Sequence, residues 1–305
     1  MVISAHNEGK NIEDCLKSVK NLADEIIVVD NGSTDDTSEI AAKFTKNIYR
    51  QENNPLKIDL QKNFGFSKAT SDWILSLDAD EQVSSELEKE IRLKTRDQRP
   101  DIVGYWIPRK NIIFGKWIQH TGWSPDYQLR LFRRGKGKFA AEKVHEPLVI
   151  EGETESFTSS ILHNNYNTVN QFIERLIIYT DSEAKAQIEN GYKFKPMDIV
   201  RKPFEEFLGR FFREEGYKDG IHGLSLSLLM VFYHLVVMLK IWEYNKFIES
   251  DIEISKSFKN ESRKIVHEIS YWIVEARKKE TKNPIKRLVL RASQKIISSK
   301  LRNIK

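Results

Sequence analysis

The sequence predicts an α/β fold with a mostly parallel sheet and helices on both faces, followed by a helical C-terminal region. Two observations in residues 1–100 favour it: short apolar runs alternate with amphipathic stretches, and acidic residues follow two of those runs. The later sequence changes to long helical patterns. We therefore expect an α/β domain over residues 1–165, a helical region over 166–250 and a basic amphipathic tail over 251–305.

Length and composition fit a large domain with an addition. The 305 residues are 40% hydrophobic, which suffices for a core. The single cysteine, Cys15, excludes an internal disulfide and fits a reducing compartment. It lies among apolar residues at helical spacing, which predicts a core position. The chain does not open with a charged segment and an apolar stretch, so no secretory signal is predicted.

The basic excess belongs to the tail. Residues 256–305 hold 15 Lys and Arg against 4 Asp and Glu, a net charge of +11. The remaining 34 basic and 40 acidic residues give −6, within an overall charge of +5. Residues 1–255 are thus mildly acidic, and a surface that attracts anions is predicted only for the tail.

The first hundred residues alternate between predicted strands and helices. The predicted strands are residues 1–5, 26–30, 48–49 and 73–77, and the predicted helices are residues 11–22, a segment ending at 44, and 61–69. Ser33 or Thr34, in the turn after the second strand, is the expected cap of the second helix.

The strand at residues 73–77 runs into Asp78, Asp80 and Glu81. Ligands of open α/β sheets bind beyond the carboxyl ends of the strands, where these acids fall. Closely spaced carboxylates suit a hard divalent cation that shares its other positions with water and a substrate phosphate. The alternative is an acidic turn that opens the helix from Ser84.

Asp30 ends the second strand at the same edge, either as a ligand-binding acid or as a turn acid. Neither the glycine-rich dinucleotide motif nor the P-loop motif occurs in the chain, so neither kind of nucleotide site is indicated.

Four segments together resemble the inverting family 2 glycosyltransferases of the GT-A fold. They are ISAHNE at residues 3–8, VVDNGSTD at 28–35, LDAD at 77–80 and WSPDYQLRLFR at 123–133. The last resembles a branch that contains bacterial lipopolysaccharide-core β-1,4-glucosyltransferases. The resemblance covers roughly residues 1–245 and implies transfer of a hexose, with glucose expected, from a nucleotide-diphosphate sugar, with UDP expected.

The resemblance implies a donor site at the carboxyl edge of the sheet. Asp30 would accept the imide N–H of uracil, and Asn7 and Glu8 would line the nucleotide pocket. Lys62 and Asn63 would touch the nucleoside or its phosphates, unless they belong to a solvated helix face.

The resemblance also implies a bound Mg²⁺ or Mn²⁺ that neutralises the departing diphosphate. Asp80 would be its principal ligand, Asp78 would bind the ribose or the metal, and His145 would bind the metal or the diphosphate. His163 is expected to be structural.

Asp126 is the expected general base, since an acid in this later motif is the usual base of the family. A carboxylate there would take the proton of the acceptor hydroxyl. Glu146 is the rival, and a structural pairing of Asp126 with Arg130 or Arg133 is the alternative.

Residues 101–165 predict a mixed sheet that binds the acceptor. The pattern predicts a strand, a Gly turn and a second strand within residues 105–108 and 111–117. Further strands are predicted at 127–133 and 144–150. The candidate sugar platforms are Trp106, Trp117, Trp123 and Tyr127, and the candidate diphosphate ligands, or members of a charged strand face, are Arg130, Arg133 and Arg134.

The later sequence predicts helices at residues 171–190 and 196–220, the latter ending in the turn GYKDG at 216–220. Residues 224–239 contain no Lys, Arg, Asp or Glu. About 20 such residues are needed to span a bilayer, so an interfacial helix is expected before a span or an ordinary buried helix. Two amphipathic helices, the second opened by Pro284, are expected in the tail.

The expected protein is a metal-dependent hexosyltransferase peripheral to the inner face of the cytoplasmic membrane. Its acceptor would be a lipid-linked envelope glycan, its tail would bind the anionic membrane surface, and no nucleic-acid partner is expected. The alternatives are a polyprenyl-phosphate, protein or cell-wall polymer acceptor, a protein that binds nucleic acid through its tail, and a sugar-nucleotide-binding pseudoenzyme.

Overall fold

The computed structural model describes residues 1–54, 58–96, 99–140 and 148–302. The chain divides into two units. The first consists of residues 1–117 and 124–167, and the second of residues 118–123 and 168–305.

The first half of the sheet is parallel, with strand order β3-β2-β1-β4. Its strands are β1 (Val2–Ala5), β2 (Ile27–Asp30), β3 (Ile48–Arg50) and β4 (Trp73–Asp78), and its helices are α1 (Ile12–Val19), α2 (Thr37–Ala41) and α3 (Ile58–Lys68). The predicted alternation is confirmed. Cys15 is fully buried in the core, as its helical spacing predicts.

The second half of the first unit is mixed. It contains β5 (Glu81–Val83), α4 (Ser85–Arg96), β6 (Ile102–Ile113), β7 (Lys116–Trp117), β8 (Tyr127–Arg133), β9 (Gly137–Phe139), β10 (Leu148–Ile150), β11 (Glu153–Ser156) and β12 (Ile161–Tyr166). The sheet continues from β4 in the order β8-β6-β12-β5, while β7 and β11 also pair with β6. The α/β prediction is confirmed.

Strand β6 is longer than predicted because it runs through Pro108 into residues 109–113. Proline cannot donate to a sheet and is tolerated where pairing is interrupted. Along one side of β6, the pairing with β11 ends at Trp106 and the pairing with β12 begins at Arg109. Pro108 falls in this gap, and the continuous strand carries Arg109 and Asn111 on one face.

In the described part of the second unit, residues 118–123 form a loop and the regular structure is helical. Its helices are α5 (Val169–Glu189), α6 (Asp198–Phe207), α7 (Ile221–Tyr244), α8 (Ile254–Glu280) and α9 (Pro284–Arg302). A π-helical segment, Leu208–Arg213, continues α6, and a 3₁₀ turn, Gly216–Asp219, precedes α7. The two predicted tail helices are confirmed as α8 and α9.

Helix α7 is longer than its uncharged run predicts. It has 24 residues, and among the described residues it is the helix that is long and apolar enough to cross a membrane. The premise that it is too short to span is therefore wrong, because the helix continues past the run through Lys240 and Glu243. Its polar side chains contact neighbouring helices: Tyr233 Oη donates to Glu183 at 2.8 Å, and His234 Nε2 lies 3.6 Å from Glu206.

Candidate active site

Asp30 is fully buried at the end of β2 and is held by the turn that follows it. Oδ1 accepts the Ser33 N–H at 2.8 Å, and Oδ2 accepts the Ser38 hydroxyl at 2.5 Å. Burial raises the pKa of Asp30, but these hydrogen bonds hold it below its ordinary value. Asp30 is therefore ionised at neutral pH. Its contacts are those of a turn acid, the alternative to a ligand-binding acid. A contact with uracil remains a prediction.

Asn7 joins the loops after β1 and β2. Its Oδ1 accepts the Thr34 N–H at 2.8 Å, and its own N–H donates to Ser33 Oγ at 2.9 Å. Its φ is +54°, a left-handed conformation that Asn tolerates better than most residues. Helix α2 begins after Asp36, which makes no side-chain cap hydrogen bond, so the prediction that Ser33 or Thr34 caps this helix is wrong. Glu8 follows in this loop and accepts from Asn11 Nδ2 at 2.7 Å.

Asp78 lies between two cations. Lys62 Nζ is 2.7 Å from Oδ1, and Arg130 Nη2 is 2.6 Å from Oδ2. Burial raises the pKa of Asp78, but Arg130 and Lys62 hold it well below its ordinary value. This places the predicted donor-binding residues Lys62 and Asp78 together.

Asn63 faces β9 and pairs with the backbone of Phe139. Its Nδ2 donates to the Phe139 carbonyl and its Oδ1 accepts the Phe139 N–H, both at 2.9 Å. The amide thus supports β9 in this structure, and its predicted contact with the donor has no further support here.

Glu81 is fully buried and connects the two arginines of the site. Its Oε1 lies 2.6 Å from Arg130 Nη2 and 3.3 Å from Arg109 Nη1, and its Oε2 accepts the Asp78 N–H at 2.9 Å. Arg130 therefore pairs with two acids of the site, which Lys62 and Arg109 also contact. Its predicted contact with the diphosphate has no support in these contacts.

Asp126 is held at one oxygen more than at the other. Oδ2 accepts from Arg109 Nε and Asn111 Nδ2, both at 2.9 Å, while Oδ1 accepts from Gln128 Nε2 at 2.8 Å. Burial raises the pKa of Asp126, but Arg109 and the two amides hold it below its ordinary value. The ion pair forms with Arg109 and not with Arg130 or Arg133, the partners in the alternative interpretation. Asp126 is ionised at neutral pH, as a base must be.

The residues around Asp80 fit a hard divalent cation. Asp80 is buried, and its Oδ2 lies 3.6 Å from Nε2 of buried His163. His163 Nδ1 lies 2.7 Å from Asn111 Oδ1. A carboxylate and an imidazole supply two ligands, and Mg²⁺ or Mn²⁺ takes its others from water and phosphates. No group of three His, Cys, Asp or Glu side chains placed to hold a metal occurs in the described residues.

Two predicted candidates, His145 and Glu146, lie outside the described residues. Their assignments to the metal and to the rival base remain predictions.

The remaining aromatic candidates differ in exposure, and the remaining basic candidates are judged by their contacts. Tyr127 and Trp117 are exposed, whereas Trp106 is partly buried against the core and donates to Thr154 Oγ1 at 3.2 Å. Arg133 stacks on a tryptophan ring and donates to backbone carbonyls, and Arg134 also donates to a carbonyl. These contacts of Arg133 and Arg134 favour the predicted charged strand face over a role as diphosphate ligands.

The predicted GYKDG turn holds the loop that contains Trp123. In the second unit, Asp219 is buried and accepts from His120 N and Thr121 Oγ1, both at 2.9 Å, and from Gln119 N at 3.2 Å. Three residues after this loop the chain reaches Asp126.

Asp219→Asn is expected to destabilise the second unit. The new NH₂ group would face backbone N–H donors, and a buried donor without an acceptor costs about 1–3 kcal/mol. Urea unfolding measures this loss, with the exposed Asp251→Asn as the control. Equal unfolding midpoints for both variants and the wild type would contradict this role.

Sequence reasoning missed Arg109 and Asn111 and undervalued His163. Their side chains meet because β6 and β12 pair, with Asn111 in register with His163. The alternation of Ile107, Arg109 and Asn111 was an available but weak signal, because the prediction ended the strand at Pro108.

Comparison with known proteins agrees with the motifs. Residues 1–146 match the family model described as "Glycosyl transferase family 2". The lipopolysaccharide core biosynthesis glycosyltransferase LpsC of Rhizobium meliloti (strain 1021) is 27% identical over 252 residues, 78% of this chain and 89% of that protein. The uncharacterized glycosyltransferase RT0209 of Rickettsia typhi is 27% identical over 251 residues, 79% of this chain and 85% of that protein.

Among solved structures, S. aureus TarS 1-349 superimposes with a TM-score of 0.40 and 14% identity, covering 83% of this chain and 93% of that chain. The chain therefore contains a family 2 glycosyltransferase domain over residues 1–146, and its similarity to the named glycosyltransferases supports a glycosyltransferase enzyme.

Proposed function

We propose that this glycosyltransferase moves a hexose, with inversion, from a UDP-sugar to a lipid-linked envelope glycan such as a lipopolysaccharide core. The observation that carries the proposal is a chain of side-chain contacts. Hydrogen bonds join Asp126 to Asn111 and Asn111 to His163, and His163 Nε2 lies 3.6 Å from Asp80 Oδ2. A group that activates a hydroxyl and a pair of metal ligands would thus act side by side.

Inversion by a single displacement needs one base and no protein nucleophile. Asp126 suits the base because Oδ1 accepts from Gln128 and has lone-pair capacity for an acceptor hydroxyl. Asp78 is less suited to be the base, since each of its two oxygens pairs with a cation, Lys62 or Arg130. The proposal therefore gives Asp78 an electrostatic role beside the donor.

Asp80 and His163 would hold the metal ion, which supplies Lewis-acid stabilisation of the departing diphosphate. Asp30, Asn7 and Glu8 would form the nucleoside side of the pocket at the ends of β1 and β2. The name of the relative LpsC supports a lipopolysaccharide-core acceptor.

A donor panel tests the proposal. Purified chain is incubated with UDP-glucose, UDP-galactose, UDP-N-acetylglucosamine, GDP-mannose and an ADP-hexose, with Mn²⁺ or EDTA, and slow hydrolysis is measured. We expect Mn²⁺-dependent release of UDP, fastest from UDP-glucose. Release that favours GDP or ADP, or that EDTA leaves unchanged, would contradict the proposed donor or the metal.

The proposal includes binding to the anionic inner face of the cytoplasmic membrane through α9. This helix exposes an apolar stripe at helical spacing, formed by Ile285, Leu288, Val289 and Ile296, between lysines and arginines. Apolar and basic residues arranged in this way are typical of an interfacial helix. Each basic residue near an anionic surface contributes about 1 kcal/mol.

Leu288→Glu combined with Ile296→Glu is expected to abolish most flotation with anionic vesicles while sparing donor hydrolysis. The two glutamates place charge on the face that would enter the lipid. Leu93→Glu, at an exposed apolar residue of α4, is the matched control. If flotation of the wild-type chain does not depend on salt or on lipid charge, helix α7 and not α9 would be the membrane contact. Salt-sensitive DNA binding without flotation would favour a nucleic-acid partner.

A further inference from the structure

Asn111 bridges the proposed base and the proposed metal ligand. It is fully buried on β6, in register with His163 of the parallel strand β12. Its Nδ2 donates to Asp126 Oδ2 at 2.9 Å, and its Oδ1 lies 2.7 Å from His163 Nδ1. One short amide therefore contacts both functional groups through its two ends.

The charge of Asp126 decides which way this amide faces. An ionised carboxylate only accepts hydrogen bonds, so it takes the NH₂ end of Asn111. Arg109 and Gln128 donate to the same carboxylate and favour its ionised form. The amide oxygen must then face His163.

The orientation of the amide in turn sets the tautomer of His163. Because Asn111 Oδ1 is an acceptor, His163 Nδ1 carries the proton. In a neutral imidazole the other nitrogen, Nε2, then presents a lone pair. That nitrogen lies 3.6 Å from Asp80 Oδ2, so two electron-rich atoms face each other at a distance that a shared cation would make favourable.

We propose that Asn111 is a positioning residue that couples Asp126 to the metal site by holding His163 in the tautomer that binds a divalent cation through Nε2. Partners of this kind orient a metal-binding histidine, and losing one typically weakens metal binding by about 10–100-fold. This inference rests on the proposed function, because it requires a metal ion at Asp80 and His163.

Binding of Mn²⁺ to the full chain in the presence of UDP tests the inference through the electron paramagnetic resonance signal of free Mn²⁺. Asn111→Leu removes the acceptor and is expected to weaken Mn²⁺ binding by about 10–100-fold. In Asn111→Asp the new carboxyl group and Asp126 would share one proton, because two adjacent carboxylates cannot both ionise. This variant still offers an oxygen to the His163 Nδ1–H and is expected to bind Mn²⁺ nearly as the wild type does. Gln128→Ala is the matched control, since Gln128 donates to Asp126 but does not contact His163.

A second measurement reads the tautomer in the wild-type chain and does not depend on whether a variant folds. In ¹⁵N-histidine-labelled protein with Mg²⁺ and UDP, we expect His163 to be protonated at Nδ1 and unprotonated at Nε2. Protonation at Nε2 would overturn the inference, as would equal Mn²⁺ affinity of Asn111→Leu and the wild type. If the wild type binds Mn²⁺ no better than Asp80→Asn does, the proposed metal site itself would be overturned.

Discussion

Asp80→Asn is expected to lower turnover by about 10³-fold or more, roughly 4 kcal/mol on the transition-state scale. The substitution keeps the size of a buried side chain but removes the negative charge beside His163. Metal affinity and stabilisation of the departing diphosphate should fall together. The measurement is steady-state transfer with saturating Mn²⁺, together with circular dichroism to confirm the fold.

The matched control for this variant is Asp101→Asn, an exposed acid of the same unit. It should retain wild-type turnover and the same dependence on Mn²⁺. Near wild-type activity of Asp80→Asn in the presence of EDTA would remove the metal from the mechanism.

Asp126→Asn should preserve donor binding and lower transfer by about 10²–10⁴-fold, the usual contribution of a general base. The amide cannot take the proton of the acceptor hydroxyl. Arg109 keeps a carboxylate partner in Glu81 at 3.3 Å, so the variant should fold. Calorimetric titration with UDP and a transfer assay separate the two effects.

Glu146→Gln is the necessary companion of this variant. If Glu146→Gln loses transfer and keeps donor binding while Asp126→Asn is active, the base is Glu146 and the path through Asn111 has another purpose. If both variants lose UDP binding, neither measurement reports a base.

The fold was largely predictable because its signals are local. Apolar spacing around Cys15 predicted a buried helix face, and the apolar run before Asp78 predicted a strand that ends at the ligand edge. The length of helix α7 was underestimated because the prediction ended at Lys240, the first charged residue. The helix can continue there because the Lys240 side chain donates to the Ile177 carbonyl at 2.7 Å.

The candidate site was predictable only in part because its contacts are distant in sequence. Asp78 and Lys62 are 16 positions apart and were both expected near the donor. His163, by contrast, meets Asn111 at a separation of 52 residues, through strand pairing that no local pattern encodes. The ion pair of Asp126 with Arg109 depends on another long-range pairing, that of β6 with β8, and the motif around residue 126 suggested nearer arginines.

Anomalous diffraction from crystals grown with Mn²⁺ and UDP tests the central claim most directly. The account predicts one strong manganese peak within coordinating distance of Asp80 and His163, with the diphosphate on its open side. A peak bound by other residues, or UDP bound with full occupancy and no manganese at Asp80, would contradict it.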